Sequence, residues 1–286
     1  MGALYHLGAR EELETQKARP ILEDIEPNTE YDGAAAAAAA QGAAQTARAT
    51  AAATSGYSGL TEESGALHSF LEHAATYSFF LLFAAALYFS ISRLAGHNRL
   101  WLVAFAVPLG MMAGDFVSGL AHWLADTYGT ERTPLVGGSF IKWFRLHHVY
   151  PKDICTHNFI ATNGNTCILA APLVALCLPL VRDEEVFATR AFFVLTTVLM
   201  TATTVATNQF HKWAHEDAPS CVARVLQRAH LILRPQHHSF HHMEPFKTDY
   251  CIANGWMNPL LERIEFFGRL ERSLSKFGMK RNQEPE

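Results

Sequence analysis

The chain has 286 residues, of which 49% are apolar and only 17% charged, below the roughly 25% usual for soluble domains. A net charge of −4 gives no argument for nucleic-acid binding. The five cysteines (Cys155, Cys167, Cys177, Cys221, Cys251) are odd in number and scattered without a CxxC pair, which favours neither a Cys-type zinc site nor a disulfide framework.

In chain order, residues 1–66 form a segment unlike the rest. It is acidic early (Glu11, Glu12, Glu14, Glu23, Asp24, Glu26), has an alanine run from Ala34 to Ala40, and is poor in large apolar residues. Such a composition predicts a disordered Ala-rich arm, with the working domain over 67–286. The arm lacks the basic flank and apolar run of a cleaved signal peptide.

Four apolar runs follow: Ala74 to Ser92, Leu100 to Ala125, Asn158 to Val181, and Ala191 to Phe210. Each is near the ~20 residues that span a bilayer as a helix. Four buried core helices of a soluble protein within so short a stretch is the weaker reading. The expected fold is therefore an all-α integral membrane protein of about four transmembrane helices. Tyr77, Trp101, Trp123 and Trp213 lie near the predicted span ends, where aromatic residues anchor at the interface.

The second run carries polar residues. Asp115, Gly119, His122 and Asp126 recur at helical spacing and share one face. An acid within a span is a candidate for function, although Asp115 reads equally well as a helix-packing acid. Gly110 and Gly114 form a GxxxG pair, the signature of close helix packing.

Ten of the fifteen histidines cluster: His122; His147, His148 and His157; His211 and His215; and His237, His238, His241 and His242. Neutral imidazole is the commonest metal ligand, and one site uses three or four protein ligands, so ten candidates predict two metals. His211 and His215, four apart, can face one metal from a helix. In RPQHHSFHH, His238 with His241 or His242 can face one centre while a neighbour faces another. Nitrogen donors without thiolate fit iron, zinc, copper or nickel. Carboxylates near in sequence (Asp126, Asp153, Glu216, Asp217, Glu244, Asp249) are candidates to orient the rings, and His230 is a further candidate supporting residue. His6, His68, His73 and His97 are isolated and read as exposed or structural. His122 ends the second span, the next group lies between spans two and three, and the rest follow span four, so all ten can share one membrane face. Lys and Arg are richer on that face, which places it in the cytosol.

The stretches GDFVSGLAHWLADTYG, FRLHHVYPKDICTHNFIATNG, TNQFHKWAH and LILRPQHHSFHH resemble the plasmanylethanolamine desaturase family, also called Kua, which includes the carotenogenesis regulator CarF and the plastid palmitate desaturases. The resemblance runs from about Leu67 to Phe267. It implies a membrane desaturase with a histidine-bound di-iron centre, using O2 and electrons from cytochrome b5, at the endoplasmic reticulum or, alternatively, a plastid membrane. It places an H-x-x-x-H box on His211 and His215, an H-x-x-H-H box on His238, His241 and His242, and further motif histidines on His122, His147, His148, His157 and His237. The first box here is His122 to Asp126, so Asp126 is expected either to touch metal or to support His122. The implied reaction forms the vinyl-ether double bond of 1-O-alkyl-2-acyl-glycerophosphoethanolamine. The rival readings are an acyl-lipid desaturase acting on phosphatidylglycerol palmitate, and a histidine-rich metal transporter. A transporter usually keeps its ligands within the spans, whereas nine of these ten lie at or beyond span ends.

Overall fold

The computed structural model describes residues 65–282, apart from 135 and 244. The expected Ala-rich arm therefore lies almost wholly outside the described residues.

Among the described residues the regular structure is all helical. Helix α1 (Ala66–Gly96), α2 (Val103–Thr127, entered through a 3-10 turn at Leu100–Leu102), α4 (Phe159–Cys177, continued by the short α5, Pro179–Arg182) and α6 (Ala188–His215) carry the four apolar runs. Each is long and apolar enough to cross a membrane. Between α2 and α4 lie a π-turn (Gly137–Ile141) and α3 (Lys142–Val149). After α6 come α7 (Cys221–Arg228), α8 (Pro235–His241), α9 (Asn258–Arg263) and α10 (Phe266–Lys276).

The bundle is built around α6. Helix α2 packs chiefly on α6, and α1 packs on both α4 and α6. The α2–α6 seam is closed by the glycine pair. A Cβ added at Gly110 would stand 2.6 Å from the Leu199 Cβ, and one at Gly114 would stand 2.6 Å from the Thr203 Cβ. Removing side chains here lets two backbones meet, which is how helices associate where lipid supplies no hydrophobic drive. The α4–α6 seam is polar. Asn208 Nδ2 donates to the Thr162 carbonyl at 3.1 Å and to Thr166 Oγ1 at 3.0 Å. The threonines of α6 are compatible with a span because their hydroxyls donate back one turn, as Thr201 does to the Thr197 carbonyl and Thr204 to the Met200 carbonyl. The outward faces remain apolar: Leu81 is 74% exposed and Leu176 73%, as expected for surfaces solvated by lipid.

One end of the bundle is tied by Arg93, which donates to the carbonyls of Val181 and Arg182, and by His97 Nε2, which donates to the Val186 carbonyl. The clustered histidines lie at the other end, where α2 and α6 finish and α3 and α8 pack. Trp123, expected at the interface, is instead 1% exposed. It packs on Phe267 and Tyr128, in an aromatic cluster with Tyr250 that backs the end of α2. Tyr77, also read as an end anchor, lies eleven residues inside α1.

Candidate metal centre

Two groups of ligand atoms converge at this end. The first comprises His147, His211, His215, His238 and His242, all five ring nitrogens lying within 4.8 Å of one another. The second comprises His122, His148, His241 and Asp126, gathered within the same limit. Helix α2 supplies His122 and Asp126, α3 supplies His147 and His148, α6 supplies His211 and His215, and α8 with its cap supplies His238, His241 and His242.

Local helix geometry explains the sorting. Residues four apart share a face, so His211 pairs with His215 and His238 with His242. Adjacent residues diverge by about 100°. Hence His147 joins the first group and His148 the second, while His242 joins the first and His241 the second.

In the all-imidazole group the Nε2 atoms stand 2.8 Å apart for His211 and His238, 2.9 Å for His147 and His215, 2.9 Å for His238 and His242, 3.1 Å for His147 and His242, and 3.2 Å for His211 and His215. In the carboxylate group Asp126 Oδ2 lies 3.2 Å from His122 Nε2, 3.4 Å from His148 Nε2 and 3.8 Å from His241 Nε2. Both Asp126 oxygens and His122 Nε2 are buried without a hydrogen-bond partner among the described residues. Such orphaned groups, aimed at one point, are what a ligand set presents when its partner is a metal rather than a protein atom.

Two histidines of the second group have their tautomers set. His122 Nδ1 donates to the Tyr250 carbonyl at 3.2 Å, and His241 Nδ1 donates to the Thr248 carbonyl at 2.8 Å. A carbonyl only accepts, so the proton sits on Nδ1 and Nε2 keeps its lone pair for the group. Burial, and then the neighbouring imidazoles, hold His147, His238 and His242 well below the usual histidine range. Burial, then His148, brings His241 down to about 4, although Asp126 opposes this. These rings are neutral at pH 7, the form that binds metal.

Eight of the ten sequence-predicted histidines are thus brought together, five in one group and three in the other. Two are not. His157 caps the 3-10 turn Asp153–Thr156, its Nε2 sits 3.6 Å from Asp153, and its carbonyl accepts from Lys212 Nζ. His237 is turned away from its neighbour His238, and its Nε2 meets Asp249 at 3.2 Å and Asn258 Nδ2 at 3.2 Å. His230, read as a supporting residue, is exposed with a left-handed backbone and approaches neither group. Asp126 is not behind His122 but among the convergent atoms. Asp115 touches neither group: it binds the backbone of the segment after α8. Of the carboxylates expected to orient rings, Asp249 serves His237, while Asp217 pairs with Lys152. Sequence reasoning missed the carbonyls of Thr248 and Tyr250, because a backbone acceptor leaves no trace in residue identity.

Fold and site together define a multi-pass membrane protein with two adjoining histidine-rich groups able to hold metal. The chain belongs to the lipid desaturase family: a lipid desaturase domain matches residues 111–284, which include every residue of both groups. It is 43% identical to a plasmanylethanolamine desaturase of Myxococcus xanthus over 72% of this chain and 71% of that protein. It is 40% identical to plasmanylethanolamine desaturase 1 of Mus musculus, over 59% of this chain and 64% of that protein. It is 32% identical to a chloroplastic fatty acid desaturase 4-like protein of Arabidopsis thaliana, over 65% and 61% of the two chains. The chain thus spans just under two thirds of the mouse and plant relatives. No solved structure matches.

Proposed function

We propose that this chain introduces the vinyl-ether double bond into 1-O-alkyl-2-acyl-glycerophosphoethanolamine, with O2 as oxidant, cytochrome b5 as electron donor, and one iron in each ligand group, at the endoplasmic reticulum membrane. The observation that carries this reading is the pair of adjoining buried ligand groups at one end of an apolar bundle. The greater identity to plasmanylethanolamine desaturases than to the plant fatty acid desaturases favours the ether lipid over the acyl lipid.

The residues fit iron. Metal–nitrogen bonds of about 2.1 Å give nitrogens about 3 Å apart at right angles and about 3.4 Å apart at tetrahedral angles. The observed 2.8–3.2 Å spacings match the former, and five imidazoles exceed the four ligands of a structural zinc site. When bound, iron supplies the oxidising power that no side chain has: O2 goes to two waters, taking two hydrogens from adjacent alkyl carbons and two electrons and two protons from the donor path.

The protein's part is to hold and to exclude. His147, His211, His215, His238 and His242 would bind one ion, and His122, His148, His241 and Asp126 the other. The Asp126 carboxylate gives the second group a negative charge that the first lacks, so the two positions differ in donor strength. Burial of the ligands keeps bulk water from the reacting carbons. The exposed apolar faces of the spans let an alkyl chain approach from within the bilayer.

Metal analysis and lipid analysis together test the reading. Purified protein should carry two irons per chain, and cells lacking it should accumulate the saturated alkyl lipid and lose the vinyl ether. Replacing His211, His238, His122 or Asp126 by Ala should lower turnover by more than the ~10- to 100-fold that removal of a supporting partner costs. Near-normal turnover in two of these variants would remove the assignment.

A further inference from the structure

The buried acid of α2 that the metal groups leave unused has four partners of one kind. Asp115 Oδ1 accepts from the backbone N–H groups of Ala253 at 3.1 Å, Asn254 at 2.9 Å and Gly255 at 3.0 Å, and Oδ2 accepts from Met257 N–H at 3.0 Å. Its side chain is fully buried. One carboxylate thus gathers four donors within five residues of the segment that follows α8. Ser118, one turn on, accepts from Ile252 N–H through its hydroxyl, and Gly119 leaves room for Cys251 to lie against α2. Gly255 has φ +75, the left-handed turn that lets its N–H join the other two.

The same segment supplies the carbonyls of Tyr250 and Thr248 that fix His122 and His241. His122 is two turns beyond Asp115 on the same helix. The carboxylate therefore sets the register of the segment against the very helix whose ligand the segment orients. The chain of contacts is closed: Asp115 to residues 253–257, residues 248 and 250 to His241 and His122, and His122 back along α2 to Asp115. Histidines 147, 211 and 215 of the all-imidazole group come from α3 and α6, outside this loop of contacts.

We infer that Asp115 is a positioning residue for the carboxylate-bearing metal group, holding the 248–257 segment so that His122 and His241 present Nε2 to the metal, with little effect on the all-imidazole group. This rests on the reading that both groups bind metal.

The test is anaerobic titration of metal-free full-length protein in detergent with ferrous iron alone. The parent protein should take up two equivalents. Asp115→Ala should retain one tight equivalent and bind the other ~10- to 100-fold more weakly, the usual consequence of removing support behind a ligand. The retained equivalent should be lost on adding His211→Ala and unaffected by adding Asp126→Ala. Asp115→Asn keeps an oxygen for three of the N–H groups but sets an amide N–H against that of Met257, so it should weaken the same equivalent less. It carries the test if Asp115→Ala does not fold. Two unweakened equivalents in either folded variant, or equal weakening of both, would overturn the inference. A parent protein that binds fewer than two irons would instead overturn the metal assignment beneath it.

Discussion

An α-helix turns about 100° per residue, so two adjacent histidines cannot serve one metal from one helix, whereas two that are four apart can. This fact sorts His147 from His148 and His241 from His242, whereas His237, one turn before His241, is held away by Asp249 and Asn258. His157→Ala and His237→Ala should therefore retain most of the turnover that His148→Ala or His242→Ala abolishes, checked by assay of membranes with matched protein levels. The neutral state of the ligands has its own consequence. His241 keeps its ring unprotonated in the fold down to about 4, while the unfolded chain takes up that proton at the ordinary 6.5. Between these values the unfolded state holds more protons, so stability is full above pH 6.5 and falls as the pH drops toward 4. Thermal unfolding of metal-free protein across that window should show this loss, and His241→Ala should show a shallower one. A profile as steep in the variant as in the parent would assign the loss to other groups.

The α2–α6 seam decides whether the ligands of two elements meet. Gly110 and Gly114 set the distance between helices that carry His122 and Asp126 on one side and His211 and His215 on the other. Gly114→Leu would drive a side chain into Thr203 and the Met200 carbonyl, an overpacking that typically costs ~1–3 kcal/mol. The variant should melt at lower temperature in detergent and retain less iron than Gly96→Ala, whose added Cβ meets nothing within 4 Å. Unchanged melting and metal content in Gly114→Leu would show that the seam tolerates wider spacing. At this scale much was legible in the sequence. Runs of about twenty apolar residues have one economical structure in lipid, and the GxxxG pair has one common use, so spans and seam could both be read. The short helices α7 to α10 were not legible, because six to eleven residues carry little periodic signal and owe their form to packing on the ends of α2 and α6. Trp123 misled for the same reason: a tryptophan near a span end reads as an anchor until α10 is seen to cover it.

For the whole molecule, the histidines were readable as one site because topology constrains them: an even number of spans separates His122 and the 147–157 segment from the residues after α6, so all must share a side. What could not be read was the partition into two groups, since that depends on how α3 and α8 approach α2 and α6. Nor could Asp115 be placed, because its partners are backbone groups nearly 140 residues away. Topology fixes the relative sides, and the proposed function, with the excess of Lys and Arg around the histidine segments, has that side facing the cytosol. An electron donor such as cytochrome b5, which presents its haem to the cytosol, requires the same orientation. Glycosylation acceptor sequences inserted at two open glycines test it directly. Gly96, the last residue of α1, and Gly278, after α10, each have no heavy atom within 4 Å of an added Cβ, so each offers open space at which to begin an insertion. A tag at Gly96 should be glycosylated in the endoplasmic reticulum and one at Gly278 should not. The reverse pattern would place both ligand groups on the lumenal side, cut them off from cytosolic cytochrome b5, and require a different source for the two electrons.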